Sequence, residues 1–163
     1  MGWLPHPLFS LILIFAVLGL SWAQAPRVMT LKATAYTSSV RETDNTPFIT
    51  ATGARTRMGI VAVSRDMLRE LPYGSKVILE DLGTPSGKGK GRFNYLFKDR
   101  VFVVEDTMHP RKREQLDVWL PDRSTAIRFG VRNVRVTVIQ RGRGSYNNNC
   151  GTVKRAPNTK ANC

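Results

Sequence analysis

Residues 133–140 (NVRVTVIQ) alternate apolar and polar positions strictly, which is the pattern of a strand with one buried face. Residues 28–37 (VMTLKATAYT) alternate more loosely and carry Tyr36 near their end, so they too predict a strand. Short apolar runs at 59–64 (GIVAVS), 76–80 (KVILE), 100–105 (RVFVVE) and 116–120 (LDVWL) have the length and β-branched content of buried strands. Between them, 65–70 allows one helical turn that must stop before Pro72. The stretch 122–129 predicts a helix capped by Asp122 and stopped by Gly130. Residues 38–57 are polar with Pro47 and Gly53 and read as a long loop, and 82–92 (LGTPSGKGKGR) reads as an exposed, mobile basic loop. Six closely spaced strands with one or two short helices predict a mainly β domain, a small barrel or sandwich.

The chain ends contrast with this middle. Residues 8–20 are almost unbroken apolar sequence followed by Ser21-Trp22-Ala23-Gln24-Ala25, the layout of a cleavable secretory signal. A membrane span needs about 20 apolar residues, more than this core offers. Cleavage after Ala23 is favoured over cleavage after Ala25, which would leave Pro26 first. The segment before the core has no Lys or Arg, only His6, so an uncleaved anchor stays open as the alternative. No Cys follows the core, and lipid attachment there is not expected. Residues 1–23 are thus read as a signal peptide and 28–140 as one domain. Residues 141–163 read as a basic tail with little fixed structure. Cys150 and Cys163, both in that tail, are expected to pair in an oxidising compartment.

All 25 Lys and Arg and all 12 Asp and Glu of the chain follow residue 23, so the +13 charge belongs to the mature protein. Such a charge draws a protein to polyanions. An exported protein meets peptidoglycan carboxylates, teichoic acids and lipid head groups rather than nucleic acid. Solubility alone is the simpler reading of the same charge.

Candidate chemistry narrows quickly. The mature chain has one histidine, His109, and with Asp106 it offers too few ligands for a metal site. No G-x-S-x-G elbow is present, and the Gly-Lys run at 87–91 lacks the G-x-x-x-x-G-K-[ST] spacing of a phosphate loop. Carboxylates remain. Asp106 ends one predicted strand, Asp117 lies in the next, and ten mostly basic or polar residues separate them. Were those strands close, the pair could share a groove flanked by Lys112. Such a pair suits glycosidic cleavage, in which a carboxyl protonates the leaving oxygen. Two solvated strand-end aspartates are the plain alternative.

Several motifs then fall in a familiar order: Ala33-Thr34-Ala35-Tyr36, Thr50-Ala51-Thr52-Gly53, Gly59-Ile60-Val61-Ala62-Val63 and Pro72-Tyr73-Gly74-Ser75-Lys76-Val77. Val104-Glu105-Asp106-Thr107, Leu116-Asp117-Val118, Ala126-Ile127-Arg128-Phe129-Gly130 and Val134-Arg135-Val136 complete the series. Over residues 31–139 the chain resembles the three-aspartate (3D) domain family, which includes barrels of lytic transglycosylases and of stationary-phase survival proteins. The resemblance implies a six-stranded double-psi β-barrel. It also implies a periplasmic or secreted peptidoglycan-active protein without cofactor or metal, its partner the glycan strand, its default state a monomer and no stable membrane insertion. It further implies cleavage of the MurNAc–GlcNAc β-1,4 bond without water, leaving a 1,6-anhydro end. Asp117 matches the family's catalytic aspartate, Asp106 its supporting aspartate and Lys112 a lysine of the intervening loop. Tyr36, Thr52 and Gly53 match groove residues expected to contact sugar, although packing and a turn would account for Tyr36 and Gly53 equally well. Two departures stand out. The family's first aspartate would directly follow Val63, where this chain has Ser64, with Asp66 two residues on. The family's Gly-Gly after Asp-Thr is Met108-His109 here. An expansin-like module that binds wall glycan without cutting it is the alternative that Ser64 favours.

Overall fold

The computed structural model describes residues 25–39 and 46–143. Residues 1–23, read above as a signal peptide, the tail beyond residue 143 and both cysteines lie outside the described residues. Six strands form: β1 (Arg27–Tyr36), β2 (Ile60–Val63), β3 (Lys76–Gly83), β4 (Phe102–Thr107), β5 (Gln115–Trp119) and β6 (Arg132–Gln140). They close into one ring in the order β1-β5-β2-β4-β3-β6. β1 runs parallel to β5 and β2 parallel to β4, and the other four neighbours are antiparallel. Every strand therefore finds two partners, although β3 and β4 share only the pairs Lys76–Val103 and Val77–Phe102.

Alternation dictates which side chains fill the ring. Leu31 and Ala33, Val61 and Val63, Val77 and Leu79, Phe102 and Val104, Leu116 and Val118, and Val134 and Val136 are all buried in one cluster. Phe93, Phe97 and Phe129 join it from outside the strands, with Phe93 edge-on to Phe129 at 5.2 Å between ring centroids. The predicted turn after β2 is a short 3₁₀ helix, Arg65–Arg69. The predicted helix is α2 (Arg123–Phe129), whose cap Asp122 accepts hydrogen bonds from the backbone N–H of Ser124 (3.3 Å) and Thr125 (2.8 Å).

The basic loop at 82–92 departs from its expectation. It is exposed, but it is clamped rather than mobile, because the carboxylate of Asp81 sits fully buried beneath it. Asp81 accepts from the backbone N–H of Gly83 and Phe93, both at 2.9 Å, and pairs with Arg132 at 2.6 Å. Burial alone would raise the Asp81 pKa, yet the Arg132 guanidinium and those backbone donors hold it below the usual carboxylate range. The loop then leads into a one-turn helix, α1 (Asn94–Phe97), too short to leave a helical period in the sequence.

The start of the predicted loose tail is also held. Arg141 donates to the Arg69 carbonyl at 2.8 Å, and the Gly142 N–H donates to Ser75 Oγ at 2.9 Å. Gly142 passes so near the turn before β3 that a Cβ there would stand 2.1 Å from the Tyr73 carbonyl oxygen.

Candidate active site

β2 is the strand around which the candidate residues assemble. Val61 lies beside Val104 on β4 and Val118 on β5, and all three face the barrel core. One residue on, Ala62 lies beside Asp117 on β5 and Asp106 on β4. The β2–β4 register shifts between Val61 and Ala62. Strict alternation after Val104 would turn Asp106 toward the core. The bulge inserts Glu105 as the extra residue, so Asp106 shares the outward face of Ala62 and Asp117. The two aspartates thus flank one small residue, with their backbones two strand spacings or roughly 10 Å apart across the sheet.

Hydrogen bonds fix both side chains. Three donors converge on Asp106: the Tyr36 hydroxyl (2.9 Å), the Ala51 N–H (3.0 Å) and the Thr107 N–H (2.8 Å). Asp117 accepts from Thr34 Oγ1 at 2.9 Å, its register partner on β1. Tyr36 is buried on the same face of β1. Burial, then the negative charge of Asp106 and the hydrogen bond to it, then the charge of Asp117, push the Tyr36 phenol well above the ordinary tyrosine range. Tyr36 therefore stays a neutral donor at every pH relevant to function.

A second small cluster floors this face: Tyr36, Ala62 and Met108 are buried, and half-buried Trp119 packs against them. Trp119 follows Asp117 by two positions on β5 and lies beside Tyr36. Its indole N–H donates to Ser38 Oγ at 3.1 Å, which is itself bonded to Thr56 Oγ1 at 2.9 Å. The segment 50–57 is drawn against the bulge by a two-pronged Arg57–Glu105 ion pair (2.7 and 2.8 Å) and by the Thr52 N–H on the Glu105 carbonyl.

The expected residues divide as follows. Asp106, Asp117 and Tyr36 come together. Thr52 and Gly53 are exposed in the turn whose Ala51 N–H holds Asp106, and Gly53 takes φ +82°, which a side chain would strain. Lys112 is exposed in the loop between β4 and β5, and its backbone N–H bonds the His109 carbonyl at 2.9 Å. Ser64 is fully buried, and its Oγ accepts from the Gln115 N–H at 3.0 Å. Asp66 points elsewhere, taking the Glu114 N–H at 3.0 Å and lining a groove with Arg65, Arg113 and Arg141 that includes neither Asp106 nor Asp117. Burial opposes its ionisation, but the Ser64 and Glu114 hydrogen bonds and the Arg113 charge lower its pKa. Asp66 does not replace a third aspartate on the outward face. Met108, where glycine was expected, fills the floor beneath Tyr36. Sequence reasoning missed Thr34 and Trp119, although their two-residue spacing from Tyr36 and Asp117 carried the signal.

Among the described residues no group of three or more His, Cys, Asp or Glu side chains is placed to hold a metal ion. No described helix is long and apolar enough to cross a membrane. No protein-family model matches the chain, and no curated protein matches it. Among solved structures it is similar to the lytic transglycosylase MltA of E. coli. One apo structure of a variant matches at 21% identity and TM-score 0.39, covering 55% of this chain and 26% of that one. A second crystal structure matches at 17% identity and TM-score 0.38, covering 60% and 29%. The chain thus spans little more than a quarter of the length of the structures it matches.

Proposed function

We propose that residues 28–140 form a double-psi β-barrel of the three-aspartate type and that the protein, exported by residues 1–23 to the periplasm or beyond, is a peptidoglycan lytic transglycosylase. The observation that carries this reading is the bulge that sets Asp106 beside Ala62, opposite Asp117, on one outward face. Asp117 is the acid and then the base. Its carboxyl proton goes to the glycosidic oxygen between MurNAc and GlcNAc as the C1–O bond breaks. The carboxylate then takes the proton of the MurNAc 6-hydroxyl as that oxygen attacks C1, closing the 1,6-anhydro ring. No water enters the balance, and Asp117 ends protonated as it began. Asp106, held by three donors, serves as the anion that favours positive charge developing at C1. Tyr36 orients Asp106, and Trp119 with Tyr36 offers an aromatic floor on which a sugar ring can lie.

The same face would serve a module that binds glycan without cutting it. Ser64 favours this second reading: it is fully buried and its hydroxyl is engaged by the backbone, so no third carboxylate stands there. Purified mature protein incubated with sacculi, with soluble products read by mass spectrometry, separates the two. Muropeptides ending in 1,6-anhydro sugar support the transglycosylase. Reducing ends would mean that water is the nucleophile. Protein that pellets with sacculi and releases nothing would establish the binding module instead.

A further inference from the structure

The Asp81–Arg132 ion pair joins β3 to β6, neither of which is among the strands β5, β2 and β4 that carry Asp117, Ala62 and Asp106. A buried ion pair stabilises a fold little more than apolar residues of the same volume would. What this pair holds is the loop 84–92. Besides the bonds from Gly83 and Phe93 to Asp81, Arg132 donates to the Gly89 carbonyl, and the Gly91 N–H donates to the Asp81 carbonyl at 3.0 Å. The Arg132 guanidinium also lies 4.8 Å from the centroid of the Phe93 ring. Gly83, at φ +99°, runs so close to the loop that a Cβ would stand 2.8 Å from the Lys88 carbonyl oxygen.

The loop is therefore fixed at both ends and at its middle, and in that frame Lys88, Lys90 and Arg92 are exposed. Residues 82–98 contain no acid, and none of these three cations forms an ion pair among the described residues. Cations held in place lose less freedom on binding than cations on a free segment. We propose that this loop is a second wall-docking surface, in which Lys88, Lys90 and Arg92 bind the carboxylates of peptidoglycan stem peptides. It keeps the protein on its polymer while the Asp106–Asp117 face engages the glycan. The inference rests on the wall-active reading above, but not on cleavage.

The test uses the full mature chain and its K88S/K90S/R92S variant in pelleting assays. The binding partners are native sacculi, sacculi whose carboxylates have been amidated, and anionic phospholipid vesicles. At low salt the variant should bind native sacculi about tenfold more weakly, with the gap closing as salt approaches roughly 0.15 M. Amidation should weaken wild type more than the variant, whose remaining net charge is still strongly positive, and so close the gap between them. Release of anhydro products from short soluble glycans should be equal in the two proteins. Equal binding to native sacculi, or a gap that survives amidation, would overturn the inference. So would a loss seen only on anionic phospholipid vesicles, which would assign the loop to a membrane surface. If wild type released no anhydro product at all, the transglycosylase reading would fail while the binding comparison still decided the role of the loop.

Discussion

Tyr36→Phe removes one hydroxyl from the core of the candidate site and should leave two readable marks. The hydroxyl donates at 2.9 Å to Asp106, an acceptor that carries charge, from a residue 8% exposed. Hydrogen bonds to charged groups contribute about 1.5–3 kcal/mol, so the variant should be less stable by about 2 kcal/mol near pH 8. The second mark comes from the raised phenol pKa. A group whose folded pKa lies above its unfolded value of about 10 contributes stability fully present below pH 10. Above pH 10 the unfolded chain loses the proton and the folded protein keeps it. Wild type therefore loses about 1.4 kcal/mol for each further pH unit, a loss the variant does not share. The gap between the two proteins should shrink by about 1.4 kcal/mol by pH 11. Urea unfolding of both proteins at intervals from pH 8 to 11 measures it, and the difference cancels lysines and the other tyrosines. A gap that stays constant over that range would refute the claim that Tyr36 is held neutral against the two aspartates.

Further outcomes follow from the same contacts. Asp81→Asn should cost about 3–5 kcal/mol by leaving Arg132 buried without its counter-charge, read as a fall in the urea midpoint. Because the Asp81 pKa is depressed on folding, wild type should also lose stability as pH falls from about 4 through the lower folded value, a loss weaker in the variant. Gly83→Ala must strain a φ of +99° and displace the Lys88 carbonyl. It should cost at least 1–2 kcal/mol and speed hydrogen exchange across 84–92. Arg57→Leu removes an exposed ion pair and should change global stability by about 1 kcal/mol or less, while raising exchange in segment 50–57.

Much of the barrel was legible because its strands obey a period of two. The alternation of 133–140 survives intact in β6, and the runs at 59–64 and 116–120 became β2 and β5 with shifts of a residue or so at their ends. Asp122 and Gly130 bounded α2 as their capping chemistry requires. What escaped was set by long-range pairing. A bulge arises only when two strands meet, so nothing local in Val104-Glu105-Asp106 reveals that Asp106 faces outward. The clamp on 82–92 joins residues 51 apart, and the composition of the loop suggests motion because the charge that holds it lies outside it. At the site, the aspartate spacing and Tyr36 were readable as a pattern. The roles of Ser64 and Asp66 needed the burial of one and the backbone bond of the other. Lys112 entered through its place between the aspartates and its match to the family's loop lysine, and it lies exposed in that loop.

Asp117→Asn bears on the central claim most directly. The substitution keeps the shape of the side chain and an oxygen that can accept from Thr34, so the melting temperature should hardly move. Wild type and variant would be incubated with sacculi, and the products identified by mass spectrometry. The account predicts 1,6-anhydro muropeptides from wild type and a loss of at least a hundredfold in the variant, since general acid–base groups contribute about that much or more. Anhydro products released at the wild-type rate by a folded Asp117→Asn protein would contradict it.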